Sequence, residues 1–294
     1  MNQNGWLIYN KADMEQNSSY IEWFINEAEL QGILLELILR EELTIGIADN
    51  HQTVLHKNRQ INLPDFAVVR TIDPMLNRFL ESLGINVFNS SEVATIFNDK
   101  ALTHFHMNQL SIPMTDTVFI NGSHPPDTPP LEYPFVMKEP HGRGGRQVYL
   151  IHNNDEWDMR LAQNSSPQLI VQSMKNIQTG RDVRVFIIGK EIVGAVLRAS
   201  DNDFRSNFKL GGSASWYALN DNEVSLISTI VNAFDFGMIG IDFLLDDQGG
   251  FLLNEIEDVV GSRTLSAVSD INILEKYVAH IKNTITDRQK SGNP

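Results

Sequence analysis

The chain has 294 residues, 42% of them hydrophobic, which is material for one large or two to three small domains. It contains no Cys, excluding disulfides, thiolate metal sites and Cys nucleophiles. Its net charge of −14 argues against a nucleic-acid or anionic-membrane binder, and no apolar run approaches the ~20 residues of a membrane span.

Trp6 to Tyr9 reads as a strand, and Tyr20, Ile21, Phe24, Ile25 and Ala28 then mark one face of a helix. Leu34 to Ile38 and Ala67 to Val69 read as further strands. Met75, Leu76, Phe79, Leu80 and Leu83 form a second helical stripe before the strand Ile85 to Phe88. This alternation predicts a small α/β domain with a parallel sheet. No Gly-x-Gly-x-x-Gly follows the first strand, which argues against a dinucleotide site there.

Ser90-Ser91 and Asn98-Asp99 can cap two helices, the second carrying Lys100 in its first turn. Asn121 to Pro130 reads as an exposed Pro-rich loop. From Tyr133 the pattern turns strand-rich, with Tyr133 to Lys138, Val148 to Ile151 and Leu169 to Gln172 as candidates. Val183 to Ile188 and Glu191 to Arg198 form a hairpin turning at Gly189-Lys190. Val224, Ile227, Val231 and Phe234 line one more helix, and Ile273, Tyr277, Val278, Ile281 and Ile285 line a last one.

Between those two helices lie the strands Met238 to Leu245 and Phe251 to Glu257, joined by the turn Asp246-Asp-Gln-Gly-Gly250. Alternation puts Glu255 and Glu257 on one face, and closing the hairpin brings Asp242 roughly opposite Glu255. Three acids inside apolar strands are costly unless something positive meets them. Mg²⁺ or Mn²⁺, which favour oxygen ligands, would do so.

The charge is uneven. From Lys138 to Lys209 there are 11 of the 23 Lys and Arg but only 8 of the 37 acids, so this window is +3 and the remainder −17. A basic middle in an acidic chain suggests an anionic ligand such as a polyphosphate, although uneven surface charge accounts for it equally well. Inside the window, His141-Gly-Arg-Gly-Gly-Arg146 joins two strands, and its glycines allow close approach of backbone N–H groups to phosphate. A Gly-rich hairpin is most often only a turn, and this one is no Walker loop. Lys138 ends an apolar strand, where a Lys commonly snorkels. Asp182 and Arg184 share a strand face, and Arg198 and Arg205 extend the basic set; surface salt bridges would explain each alone. His104 and His106, on a helix, read as surface or packing residues.

The order of these pieces resembles the ATP-grasp superfamily, and within it the RimK-type carboxylate–amine ligases, which add amino acids such as glutamate to a carboxyl terminus. The resemblance rests most on Asp203-Phe-Arg-Ser-Asn-Phe-Lys-Leu-Gly-Gly212, Gly240-Ile-Asp242 and Asn254-Glu-Ile-Glu257, and runs from about Val68 to Ile273. It implies an ATP-grasp fold, α/β with α+β character in the C-terminal two thirds. The implied domains are an N-terminal α/β domain (1–92), a central subdomain with the Gly-rich loop (93–171) and a C-terminal subdomain with the metal site (172–290).

By the same resemblance, Lys100 and Lys138 contact ATP phosphates, covered by the loop carrying Gly142, Gly144 and Gly145. Gln172, Ser173, Met174 and Lys175 form the adenine hinge, with Asp182 at the ribose. Arg184 and Asn207 face phosphates or the acyl intermediate, and Arg198 or Arg205 stabilises the tetrahedral intermediate. Asp242, Glu255 and Glu257 hold Mg²⁺ or Mn²⁺, two ions at ~4 Å spacing. The chain departs from the family where Glu257 replaces an Asn, where Asp258-Val-Val-Gly261 lacks Ser-Pro, and at Leu210 and Gln147. The segment with Ser262 and Arg263 is expected to line the acceptor side.

The expected activity is ATP-dependent amide or peptide bond formation through an acylphosphate. The expected partners are ATP, an amino acid and a carboxylate acceptor, which is a small molecule, peptide or carrier protein. A small-molecule kinase and a non-catalytic nucleotide-binding module are the alternatives. The start of the chain lacks the features of a signal peptide, so a cytoplasmic protein is expected, free of nucleic acid and membrane, with a homo-oligomer left open.

Overall fold

The computed structural model describes residues 3–142, 144, 147–200, 203–205 and 212–291. β1 (Gln3–Tyr9), α1 (Lys11–Gln16), α2 (Ser18–Leu30) and β2 (Ile33–Leu39) open the chain. An antiparallel meander follows, made of β3 (Leu43–Ala48), β4 (His51–His56) and β5 (Arg59–Gln60). β6 (Phe66–Val69), α3 (Pro74–Ser82) and β7 (Asn86–Phe88) complete a parallel sheet in the order β2-β1-β6-β7.

The hydropathy pattern gives little sign of the meander, because β4 is largely polar. Its tight turns fall on Asp49-Asn50 and Lys57-Asn58, all four at φ between 49° and 65°. Two consecutive left-handed residues are the signature of the two-residue turn whose twist matches a hairpin.

α4 (Ser91–Phe97) and α5 (Lys100–Gln109) lead into a second, antiparallel sheet. It comprises β8 (Thr117–Asn121), β9 (Phe135–Lys138), β10 (Val148–Ile151) and, after α6 (Asn154–Gln163), β11 (Gln168–Ser173). Its order is β10-β9-β11-β8. β8 is half-exposed and α6 buries only Trp157 fully, so neither produces a strong periodic signal.

The third sheet contains β12 (Ile177–Ile188), β13 (Glu191–Ala199), β14 (Ser213–Trp216) and, after α7 (Asp221–Ala233), β15 (Met238–Asp246) and β16 (Phe251–Glu257). All its pairs are antiparallel, in the order β14-β13-β12-β15-β16. α8 (Arg263–Val268) and α9 (Ile273–Ser291) close the described chain. No described helix is long and apolar enough to cross a membrane.

β12 shows how this sheet positions a site. Val183, Val185 and Ile187 pack with Val93, Met107, Ile227 and Val231 on one face. Phe186 and Ile188, on the opposite face, pack with Leu7, Phe24 and Tyr277. Asp182 and Arg184 share the face of Phe186 by alternation. One face of β12 is therefore apolar where the N-terminal part of the chain covers it, and charged beyond that cover.

Candidate active site

Across β12, β15 and β16, Arg184 stands opposite Asp242, and Asp242 opposite Glu255; between β12 and β13, Asp182 stands opposite Arg198. The turn at Asp246 to Gly250 thus sets the register its residues predict. One irregularity matters. Phe243 faces Leu253 while its neighbour Asp242 faces Glu255, leaving Asn254 as an extra residue, a β-bulge. Before the bulge Phe251 and Leu253 are buried, and after it Ile256 is. The bulge shifts the alternation, so Asn254, Glu255 and Glu257 all lie outside the apolar core.

The acids are met by protein cations. Asp242, 1% exposed, accepts hydrogen bonds from Arg184 Nε at 2.7 Å, Arg184 Nη2 at 2.6 Å and Arg198 Nη2 at 2.8 Å. Asp182 accepts from Arg198 Nε at 2.6 Å and Nη2 at 2.5 Å. Glu257 pairs with Arg184 Nη1 at 2.9 Å, and Glu255 with Lys100 Nζ at 3.2 Å. Burial opposes ionisation of Asp242, yet the Arg184 and Arg198 guanidiniums hold its carboxyl down to about 2. Burial likewise opposes ionisation of Glu255, and Lys100 and Lys138 outweigh it, keeping the carboxyl below its usual range. For Glu257 burial prevails, and its carboxyl sits above the usual range even with Arg184 beside it.

Lys100 arrives from α5, outside the third sheet. Asp99 caps α5 by accepting from the Ala101 and Leu102 N–H groups, which fixes Lys100 at the first helical position. Its Nζ donates to the Gly142 carbonyl at 2.5 Å as well as pairing with Glu255. Lys138, at the end of β9, is buried and donates to Asn254 Oδ1 at 3.3 Å. Burial, opposed by Glu255, lowers its ammonium to about 8. Both lysines therefore tie the Gly-rich segment and the second sheet to the bulged strand of the third.

His104 belongs to this junction. It is 1% exposed, and its Nε2 lies 2.9 Å from the Asn254 carbonyl, which can only accept. That contact fixes the proton on Nε2. Burial, then the Lys138 charge, lower its pKa to about 4, so it is neutral. Gln172 Nε2 donates to Thr117 Oγ1 at 3.1 Å and lies 3.4 Å from His104 Nε2. Of the pattern around His104, only its position four residues after Lys100, on the same helical face, hints at this role.

The remaining candidates are more dispersed. Ser173, Met174 and Lys175 form the connection from β11 into β12, where the Met174 N–H donates to the Pro134 carbonyl and Lys175 is exposed. Gly144 is exposed at φ 64° with open space where a side chain would stand. Arg205 pairs with Asp203 at 2.7 Å. Gly145 and Asn207 lie outside the described residues, as do Arg143, Arg146 and Leu210.

One oxygen each of Asp242, Glu255 and Glu257 falls within 4.8 Å of the others. An all-carboxylate set is hard and anionic, as Mg²⁺ or Mn²⁺ requires. The residues fit a divalent ion.

Comparison with known proteins identifies the family. The RimK-like ATP-grasp domain family matches residues 99–281. Human N-acetylaspartylglutamate synthase A is 26% identical over 277 residues, covering 88% of this chain and 70% of that protein. The glutamate–LysW ligase ArgX of Sulfurisphaera tokodaii is 26% identical over 262 residues, covering 85% and 93%. Among solved structures, a RimK domain ATP-grasp protein from Sphaerobacter thermophilus superposes with a TM-score of 0.71 at 16% identity, covering 94% of this chain and 98% of the other. D-alanyl-alanine synthetase A of Vibrio cholerae gives 0.73 at 16% identity, covering 97% and 99%. The family match spans well over half of the chain, which therefore belongs to the RimK-like ATP-grasp family and is an ATP-dependent carboxylate–amine ligase.

Proposed function

We propose that this ligase joins an amino acid to the carboxylate of a small molecule, peptide or carrier protein, with Lys100, Lys138, Asp242, Glu255 and Glu257 as the centre of the reaction. The observation carrying this assignment is the convergence of Lys100 and Lys138, from α5 and β9, on Glu255 and Asn254 of β16. A carboxylate is a poor electrophile, and phosphorylation by ATP gives it a leaving group. That transfer depends on positioning and charge neutralisation more than on covalent help from the protein.

In this reading Lys100 and Lys138 neutralise the transferring phosphoryl group, and the segment at Gly142 and Gly144 covers it. Gln172 to Lys175 receive the adenine and Asp182 the ribose. Asp242, Glu255 and Glu257 would hold the divalent ions, which when bound supply charge neutralisation across the phosphates. Arg184, shared here between Asp242 and Glu257, would turn toward a phosphate oxygen in this reading. Arg198 and Arg205 stabilise the oxyanion formed when the amine attacks. We also propose the division 1–92, 93–171 and 172–290, supported by the three larger sheets that follow one another along the chain, and a cytoplasmic setting, where ATP is supplied.

The test is ADP release screened over amino acids and carboxylate acceptors, with the product identified by mass. Release is expected only when both substrates are present. Steady release at full rate with neither present would overturn the assignment.

A further inference from the structure

Arg70, at the end of β6, is 8% exposed, yet among the described residues it forms no salt bridge. Its Nε donates to Tyr9 Oη at 3.3 Å and its Nη2 to the Val260 carbonyl at 2.8 Å. Its guanidinium lies over the Tyr20 ring, 5.3 Å from the centroid. Two of its five N–H donors are thus engaged. The other buried arginines, Arg184 and Arg198, are each paired with two carboxylates. Asp258, from the same region, bonds Asn89 Nδ2 at 2.5 Å and Asn98 Nδ2 at 2.9 Å. Phenol rings and one carbonyl are weak compensation for a guanidinium taken out of water, and buried charges are normally matched by a counter-ion.

The surroundings indicate where that counter-ion enters. Tyr20 separates Arg70 from a groove of about 570 Å³ lined by Asn17, Ser19, Tyr20, Trp23, Ser262 and Arg263. That volume suits a small polar molecule. Tyr20 Oη lies beside Ser262, and Thr264 Oγ1 on α8 is buried without a hydrogen-bond partner. Val260, whose carbonyl holds Arg70, lies three residues beyond the metal-site residue Glu257. A ligand anchored here is joined to the reaction centre by a short piece of chain.

We propose that Arg70 is the docking point for a substrate carboxylate that is not consumed in the reaction. It belongs either to the amino acid, whose amine attacks, or to a second carboxylate on the acceptor. The choice of a carboxylate rests on the ligase reading above; the need for an anion rests on Arg70 itself. Arg70 does not itself line the groove, so the ligand reaches the fork by displacing the Tyr20 ring and then makes a bidentate contact, with Ser262 as a neutral partner.

The experiment is titration of the full chain by tryptophan fluorescence, with Trp23 in the groove as reporter. The probes are the twenty amino acids and citrate, each set beside its carboxamide. At least one carboxylate is expected to bind, with its carboxamide at least about tenfold weaker. Arg70→Met should weaken that carboxylate at least tenfold, Arg70→Lys, which keeps the charge but not the fork, should weaken it less than Arg70→Met does, and both should bind a fluorescent ATP analogue as the parent does. In turnover, the substrate whose KM rises in Arg70→Met identifies the source of the carboxylate, amine or acceptor. Equal binding of acid and amide, unchanged binding by Arg70→Met, or no binding by any probe would overturn the proposal. If Arg70→Met does not fold, the acid-against-amide comparison on the parent chain and Arg70→Lys decides. Carboxylate binding without any ADP release would instead sink the ligase assignment and leave the anion site standing.

Discussion

Asp242→Asn and Glu255→Gln remove one charge each from the same row of the sheet, yet they should differ in their effect on the fold. Asp242 is sealed from solvent and accepts three charge-assisted bonds of 2.6 to 2.8 Å from Arg184 and Arg198. Its carboxyl is held from the ordinary 3.8 down to about 2, which corresponds to about 2 kcal/mol favouring the ionised form. That contribution is complete above pH 3.8 and is lost as the pH falls toward 2. Replacement by Asn also turns an NH₂ toward a guanidinium, and breaking a buried ion pair costs about 3–5 kcal/mol. Asp242→Asn should therefore destabilise the ligand-free chain by about 3 kcal/mol. Glu255 is 23% exposed and meets a single ammonium at 3.2 Å, so Glu255→Gln should cost about 1 kcal/mol or less. At roughly 2–4 °C per kcal/mol, calorimetry should record a drop of about 6–12 °C for the first and no more than about 4 °C for the second. Both should lose ADP release in the presence of both substrates. An Asp242→Asn chain melting with the parent, or Glu255→Gln falling as far, would refute the reasoning.

The Lys138 ammonium, lowered to about 8 by burial, should impose a pH limit on nucleotide capture. Above that pH it loses its charge, so kcat/KM for ATP should fall as the pH rises through 8, and Lys138→Arg, which keeps its charge, should flatten the profile. Identical falls in parent and variant would remove Lys138 from the phosphate site. Buried His104 predicts a limit at the acid end. Its pKa of about 4 against the ordinary 6.5 means that the unfolded chain binds the proton first, so stability declines as the pH drops from 6.5 to 4, by about 3 kcal/mol in all. Urea titrations across that range should show a shallower decline in His104→Gln than in the parent; parallel slopes would rule His104 out as the cause.

Much of the site is written locally. Alternation alone puts Asp182 with Arg184, and the turn at Asp246 to Gly250 alone puts Asp242 opposite Glu255. Asp99 caps the helix that aims Lys100 because a carboxylate before an amphipathic run has few other uses. What is not local is invisible to such reasoning. The positive groups meeting Asp242 prove to be Arg184 and Arg198, on strands separated from it by 58 and 44 residues. His104 reads as an ordinary helix residue until the second and third sheets close over it and present the Asn254 carbonyl. The meander from β3 to β5 escapes for another reason. Its strands carry His and Gln where periodicity looks for apolar residues, and only two polar dipeptides at positive φ betray it.

The bulge at Asn254 has a genetic consequence. Because β16 changes its inward parity there, the two halves of the strand are packed by opposite counting, Phe251 and Leu253 before it and Ile256 after it. The bulge is thus one extra outward residue set between two halves that would otherwise alternate without a break. Substituting Asn254 would leave the number of residues unchanged. Deleting Asn254 would restore regular alternation, keeping Phe251, Leu253 and Ile256 inward and both acids outward, and would remove the residue that Lys138 and His104 contact. In this strand, loss of the Asn254 codon should spare the apolar packing and cost those two contacts, whereas loss of the Ile256 codon would bring Glu257 to the inward place.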